Sequence, residues 1–159
     1  MDPADTFRST VDSPRSWSLS AGLYMFICGT VVTVLLSDIL GLLADVIGLP
    51  SEYWMVILAS PTFAIGAVVW WTLIERRGSY TYVLGSVFGL VTALFTGVLW
   101  TGQFILIWGI EMAEVPVVAF LIGFVIGIVA IAGVLTALPL MYARRHLESD
   151  PAERRNHPM

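Results

Sequence analysis

The chain has no lysine, one cysteine and two histidines in 159 residues. Without lysine there is no amine for a Schiff base, which excludes covalently held retinal or pyridoxal phosphate. His146 and His157 both follow the last apolar run. A bis-histidine haem inside an apolar bundle is therefore excluded, and a Ser-His-Asp triad there lacks its base. Cys28 lies alone in an apolar stretch. It can form neither an intramolecular disulfide nor a thiol relay, and it is expected to be a small packing residue. No HExxH, metal-spaced Cys/His cluster or phosphate-binding glycine loop occurs. The expectation is no metal, no cofactor and no enzyme activity, with a carboxylate-only mechanism as the one catalytic route left open.

Charge is scarce as well. Only 13% of residues are charged, against about 25% in soluble domains, and mean hydropathy is +0.84. All eight basic residues are arginine; with twelve acids the net charge is −4. Such a lysine-free, acid-rich composition resembles that of halophilic proteins and points to a haloarchaeal source, and nucleic acid is not an expected partner. The N-terminus opens with Asp2 and Asp5 instead of a basic segment, and no A-x-A site follows the first apolar run. That run is therefore expected to stay as an anchor.

What is present is apolar sequence in long pieces. Uncharged stretches cover Ser16–Ser37, Tyr53–Ile74, Gly78–Ile110 and Val115–Ala143, each long enough for the roughly 20 residues of a membrane span. The expected fold is all-α, a polytopic four-transmembrane-helix bundle over residues 16–143 between tails 1–15 and 144–159. Its helices are expected at about 16–43, 53–74, 80–108 and 115–142. Apolar character continues past Asp38 to Leu49, so helix 1 is expected to extend beyond the outer interface or bend along it. Ser13 before Pro14 resembles a cap followed by a first-turn proline, an early start for that helix.

All eight arginines fall on one side of this arrangement. They are Arg8 and Arg15, Arg76 and Arg77, and Arg144, Arg145, Arg154 and Arg155. The other two loops hold acids and no cation. The positive-inside rule then places both termini in the cytoplasm and the chain in the cell membrane. Trp17, Trp70, Trp71, Tyr80, Tyr82 and Tyr142 are expected at the inner interface, and Tyr53, Trp54 and Trp108 at the outer one.

Small residues at every fourth position let helix backbones approach in lipid. Helix 3 carries Thr81, Gly85, Gly89, Ala93, Gly97 and Thr101; helix 4 carries Ala119, Gly123 and Gly127. Gly85, Gly89, Ala93, Gly97, Gly123 and Gly127 are the candidate packing residues, within the monomer or in a homo-oligomer or membrane complex. Pro61 removes a donor inside helix 2, and Ser60 and Thr62 are placed to satisfy the carbonyls it frees. Asp38, Asp45, Glu111 and Glu114 are candidate ion- or proton-handling groups. A carboxylate at membrane depth points to function, and the depth of Asp38 depends on where helix 1 ends. Arg76, Arg77, Arg144 and Arg145 are candidate contacts for lipid headgroups of the bilayer. The expected function is that of a non-catalytic accessory, assembly or envelope component acting through helix packing. The alternative is a small transporter or channel subunit using Asp38 and the outer acidic face.

Overall fold

The protein is described as a computed structural model, covering residues 14–77 and 81–153, with side chains for 16–77 and 81–144. Within these residues the chain is helical: α1 Pro14–Leu35, α2 Ser37–Val46, α3 Trp54–Trp70 continued by a π-helical turn Trp71–Glu75, α4 Tyr82–Trp108, α5 Ile110–Ala113 and α6 Pro116–Glu153. Four of them, over Ser16–Leu35, Trp54–Glu75, Tyr82–Trp108 and Pro116–Arg144, are long and apolar enough to cross a membrane. Much of their outward surface is large and apolar, including Leu35, Val83, Leu106, Val117 and Phe120. Such a surface suits lipid and not water, and marks the chain as a membrane protein.

Local chemistry sets the breaks. α1 stops at Leu35, and Leu36 turns the chain into the separate α2 while Leu36 N–H still donates to the Val32 carbonyl at 2.9 Å. The first long helix is thus shorter than the expected 16–43, and the amphipathic remainder forms its own element. Asp38 lies in the first turn of α2, where a negative charge meets the positive end of the helix dipole. Gly48 and Gly109 adopt φ of 72° and 83°, open to glycine without a Cβ penalty, and they end the α2 and α4 segments. Thr81 caps α4 by accepting from Leu84 N–H at 3.3 Å. Pro61 sits inside α3. The carbonyl it leaves without an amide donor, that of Ile57, accepts instead from the Ser60 hydroxyl at 2.8 Å. α6 continues through Glu153, past the end expected near 142, because the residues after Ala143 include the good helix formers Arg, Leu and Glu. Residues 1–13, 78–80 and 154–159, with the expectations for Arg8, Tyr80, Arg154 and Arg155, lie outside the described residues.

α1 packs chiefly on α3 and α4 chiefly on α6, and the two pairs meet along α3–α4 and, more thinly, α1–α6. Glycines set both close contacts. A Cβ on Gly22 of α1 would lie 2.5 Å from the Phe63 carbonyl oxygen of α3. A Cβ on Gly133 of α6 would lie 2.7 Å from the Gly89 carbonyl oxygen of α4, and one on Gly89 would overlap the Gly133 carbonyl.

Two apolar clusters lie toward the two ends of the bundle. At the arginine end Trp70, Phe88, Ile74 and Met141 are wholly buried, with Trp70 and Phe88 edge-to-face at 5.2 Å and 87°. Trp70 is therefore a core residue and not the interfacial anchor expected from its position. At the carboxylate end Leu40, Ile47, Leu58 and Phe104 form the second cluster.

Candidate functional site

The helix pairs leave between them a partly open cavity of about 620 Å³, walled toward the carboxylate end by Leu40, Leu58 and Phe104 of the second cluster, within the ~300–1,000 Å³ of small-molecule pockets. It runs from Met25, Thr92 and Thr136, beside the arginine-end cluster, to Val46, Trp108 and Met112. No charged side chain lines it among the described residues.

Its polar wall residues are mostly threonines, and the hydroxyls of four of them bond carbonyls of their own helices. Thr33 donates to the Gly29 carbonyl at 2.8 Å, Thr62 to that of Ala59 at 2.6 Å, Thr96 to that of Thr92 at 2.9 Å, and Thr136 to that of Gly133 at 3.1 Å. Bonds of this kind to the preceding turn satisfy the hydroxyl within its own helix. Thr92 differs: it is wholly buried and its Oγ1 has no hydrogen bond. Trp100 and Trp108 also line the cavity. Their indole N–H groups donate to the Leu58 carbonyl at 3.0 Å and the Val46 carbonyl at 2.8 Å. The second bond ties the end of α2 to the end of α4. Cys28, the sole cysteine, is a half-buried part of the same wall.

At the arginine end Arg144 Nε lies 3.7 Å from Glu75 Oε1, with side chains 15% and 4% exposed. Glu75 also accepts from Trp70 Nε1 at 3.1 Å, and the Arg144 guanidinium stands 4.7 Å from the centre of the Trp17 ring. The π-helical turn, whose Arg76 N–H donates to the Trp71 carbonyl at 3.1 Å, brings Glu75 into this group. Its ion pair and ring contact join α1, the end of α3 and α6.

The residues singled out in the sequence divide among these places. Asp38, Asp45, Glu111 and Glu114 are exposed at the carboxylate end, and none of them lines the cavity. Arg76 and Arg77 are exposed at the other end, Arg144 turns inward, and the side chain of Arg145 is outside the described ones. Gly85, Gly89 and Gly97 face α6, through Met141, Gly133 and Ile126 respectively, and Ala93 packs near Gly133. Gly123 and Gly127 have nothing within 4 Å of a built Cβ. Sequence spacing missed Gly133, the residue on α6 that Gly89 meets. It also missed the cavity itself, whose only prior signal was the scatter of threonines through four apolar helices. Among the described residues no group of His, Cys, Asp and Glu is arranged to hold a metal ion.

Comparison with protein-family models, with curated proteins and with solved structures gave no match.

Proposed function

We propose that this is a non-catalytic cell-membrane protein that holds the apolar chain of a membrane amphiphile between its two helix pairs. In this reading both termini are cytoplasmic, following the arginine distribution. The cavity then lies toward the outer leaflet, and the protein serves an accessory or envelope role with the bilayer itself as its source of ligand. One observation carries the proposal: a cavity of about 620 Å³ whose wall has no charge and whose threonine hydroxyls mostly bond their own helices. A wall of methyl groups and aromatic rings favours hydrocarbon and offers a hydrated ion no replacement for its water. Ion or proton handling by Asp38, Asp45, Glu111 and Glu114 would need a route outside this cavity.

Native mass spectrometry of protein extracted in mild detergent tests the proposal. The wild-type protein is expected to retain a lipid-sized adduct. Val129→Trp, which fills the wall from α6, is expected to lose it while keeping the same thermal midpoint. No adduct on either protein, or equal adducts on both, refutes it.

A second reading, a subunit of a homo-oligomer or membrane complex, is favoured by the open Gly123 and Gly127 on α6 beside the stacked, exposed rings of Phe120 and Phe124. Small residues facing lipid leave room for another helix to approach. The double change Gly123→Leu, Gly127→Leu is expected to shift a cross-linked or chromatographic oligomer to monomer. A wild-type protein that is already monomeric in both assays removes this reading.

A further inference from the structure

The wall of the cavity changes toward the carboxylate end. Ile39, Val46, Trp108 and Met112 line it there and are exposed, as are Leu42 of α2 and Leu121 and Phe124 of α6, so its mouth lies at this end and is bordered by apolar side chains as well. Asp38, Asp45 and Glu111 are the immediate sequence neighbours of three of them, and all three carboxylates are exposed. Glu52 and Glu114 add two more acids in the same two loops, which contain no arginine or lysine. Resting on the reading that an apolar chain fills the cavity, we infer that its occupant is an amphiphile with a cationic, ammonium-type head seated at this mouth.

Three features converge on that head. An anionic headgroup at the rim meets only like charge, while a cation meets only opposite charge. A single contact pair at about 4 Å in water changes occupancy by roughly fivefold. Trp108 at the mouth and Trp100 deeper in the wall each have their N–H bonded to a backbone carbonyl. Those bonds fix the indoles, the aromatic rings that bind ammonium groups best. The deeper wall has no side-chain charge to compensate an ammonium group, so the head belongs at the mouth and the chain inside.

Electron paramagnetic resonance separates these elements. The full-length protein is placed in phosphatidylcholine nanodiscs at low ionic strength. It is titrated with three hexadecyl amphiphiles whose nitroxide heads are a quaternary ammonium, an uncharged amide and a carboxylate. The motionally restricted, saturable fraction is measured for each. The ammonium probe is expected to bind about tenfold more tightly than the amide probe, with the carboxylate probe weakest. The exposed-residue variant Asp38→Asn, Asp45→Asn, Glu111→Gln, Glu114→Gln is expected to bind ammonium and amide probes within about twofold of one another. Equal binding of all three probes by the wild type overturns the cationic head and leaves the chain site standing. A preference that survives neutralisation unchanged overturns the role of the rim. If no probe saturates, or if Val129→Trp binds as well as the wild type, the cavity reading itself fails and this inference with it.

Discussion

Gly89→Leu is expected to part α4 from α6 and to leave little folded protein after extraction in mild detergent. The obstacle is backbone. A Cβ at Gly89 would overlap the Gly133 carbonyl, and Ala137 Cβ lies 2.9 Å from the same point. Side-chain overpacking ordinarily costs ~1–3 kcal/mol, because neighbouring rotamers can move. Here a carbonyl in the middle of a helix must move, taking its helix with it. In lipid no hydrophobic exclusion restores the pair once close packing is lost. A loss above ~3 kcal/mol is expected, large against the ~5–15 kcal/mol that stabilises a typical domain. Gly102→Leu is the matched control on the same helix. Its Cβ meets nothing within 4 Å, and a surface change of that kind stays within about ±0.5 kcal/mol. Thermal unfolding in the same detergent compares the two. Equal midpoints would mean that α4 and α6 do not make this contact.

Arg144→Met is the second change expected to have a large effect. It removes the ion pair to Glu75, a carboxylate only 4% exposed, and the cation above the Trp17 ring. Breaking a buried pair by deleting one member costs ~3–5 kcal/mol. The 15% exposure of Arg144 and the hydrogen bond that Glu75 keeps from Trp70 Nε1 lower the expectation to ~2–3 kcal/mol. Arg144→Lys keeps the charge but loses the planar fork and the ring stacking, so it should recover only part of the loss. Glu75→Gln and the double variant complete a mutant cycle. A coupling below ~0.5 kcal/mol would show the two side chains to be independent. Trp17 fluorescence, read against a Trp17→Phe background, should shift on Arg144→Met, because the guanidinium near its ring is removed.

The long-range outline was legible because lipid imposes it. A span must be long and apolar, and Ser16–Ser37, Tyr53–Ile74, Gly78–Ile110 and Val115–Ala143 satisfy that without reference to neighbours. What could not be read from these stretches depends on rotation about each helix axis. The spacing of four that singled out Gly123 and Gly127 is equally good chemistry on either side of α6. The contact with α4 runs instead through Ile126, Gly133, Ala137 and Met141, whose spacings of seven and four are hidden among Val, Ile and Leu. Trp70 looked interfacial by its place near the end of an apolar run. The π-helical turn after it brings Glu75 within reach of its N–H, and no local pattern announces that turn. The depth of Asp38 was ambiguous for a similar reason. One residue, Leu36, ends α1 and sends the carboxylate to the surface, and nothing in Leu-Leu-Ser-Asp marks a break. The cavity was least legible of all, since it is the space left where four helices fail to meet.

The placement of Cys28 in the wall of that space has a practical side. The wild-type chain offers one thiol and no amine on any side chain, so a small uncharged thiol reagent has a single address, part-way along the chamber. Its rate of attachment becomes a gauge of vacancy, falling when a chain fills the space and rising when one leaves. The unaltered protein can thus be followed inside a native membrane, with no residue replaced and no partner known.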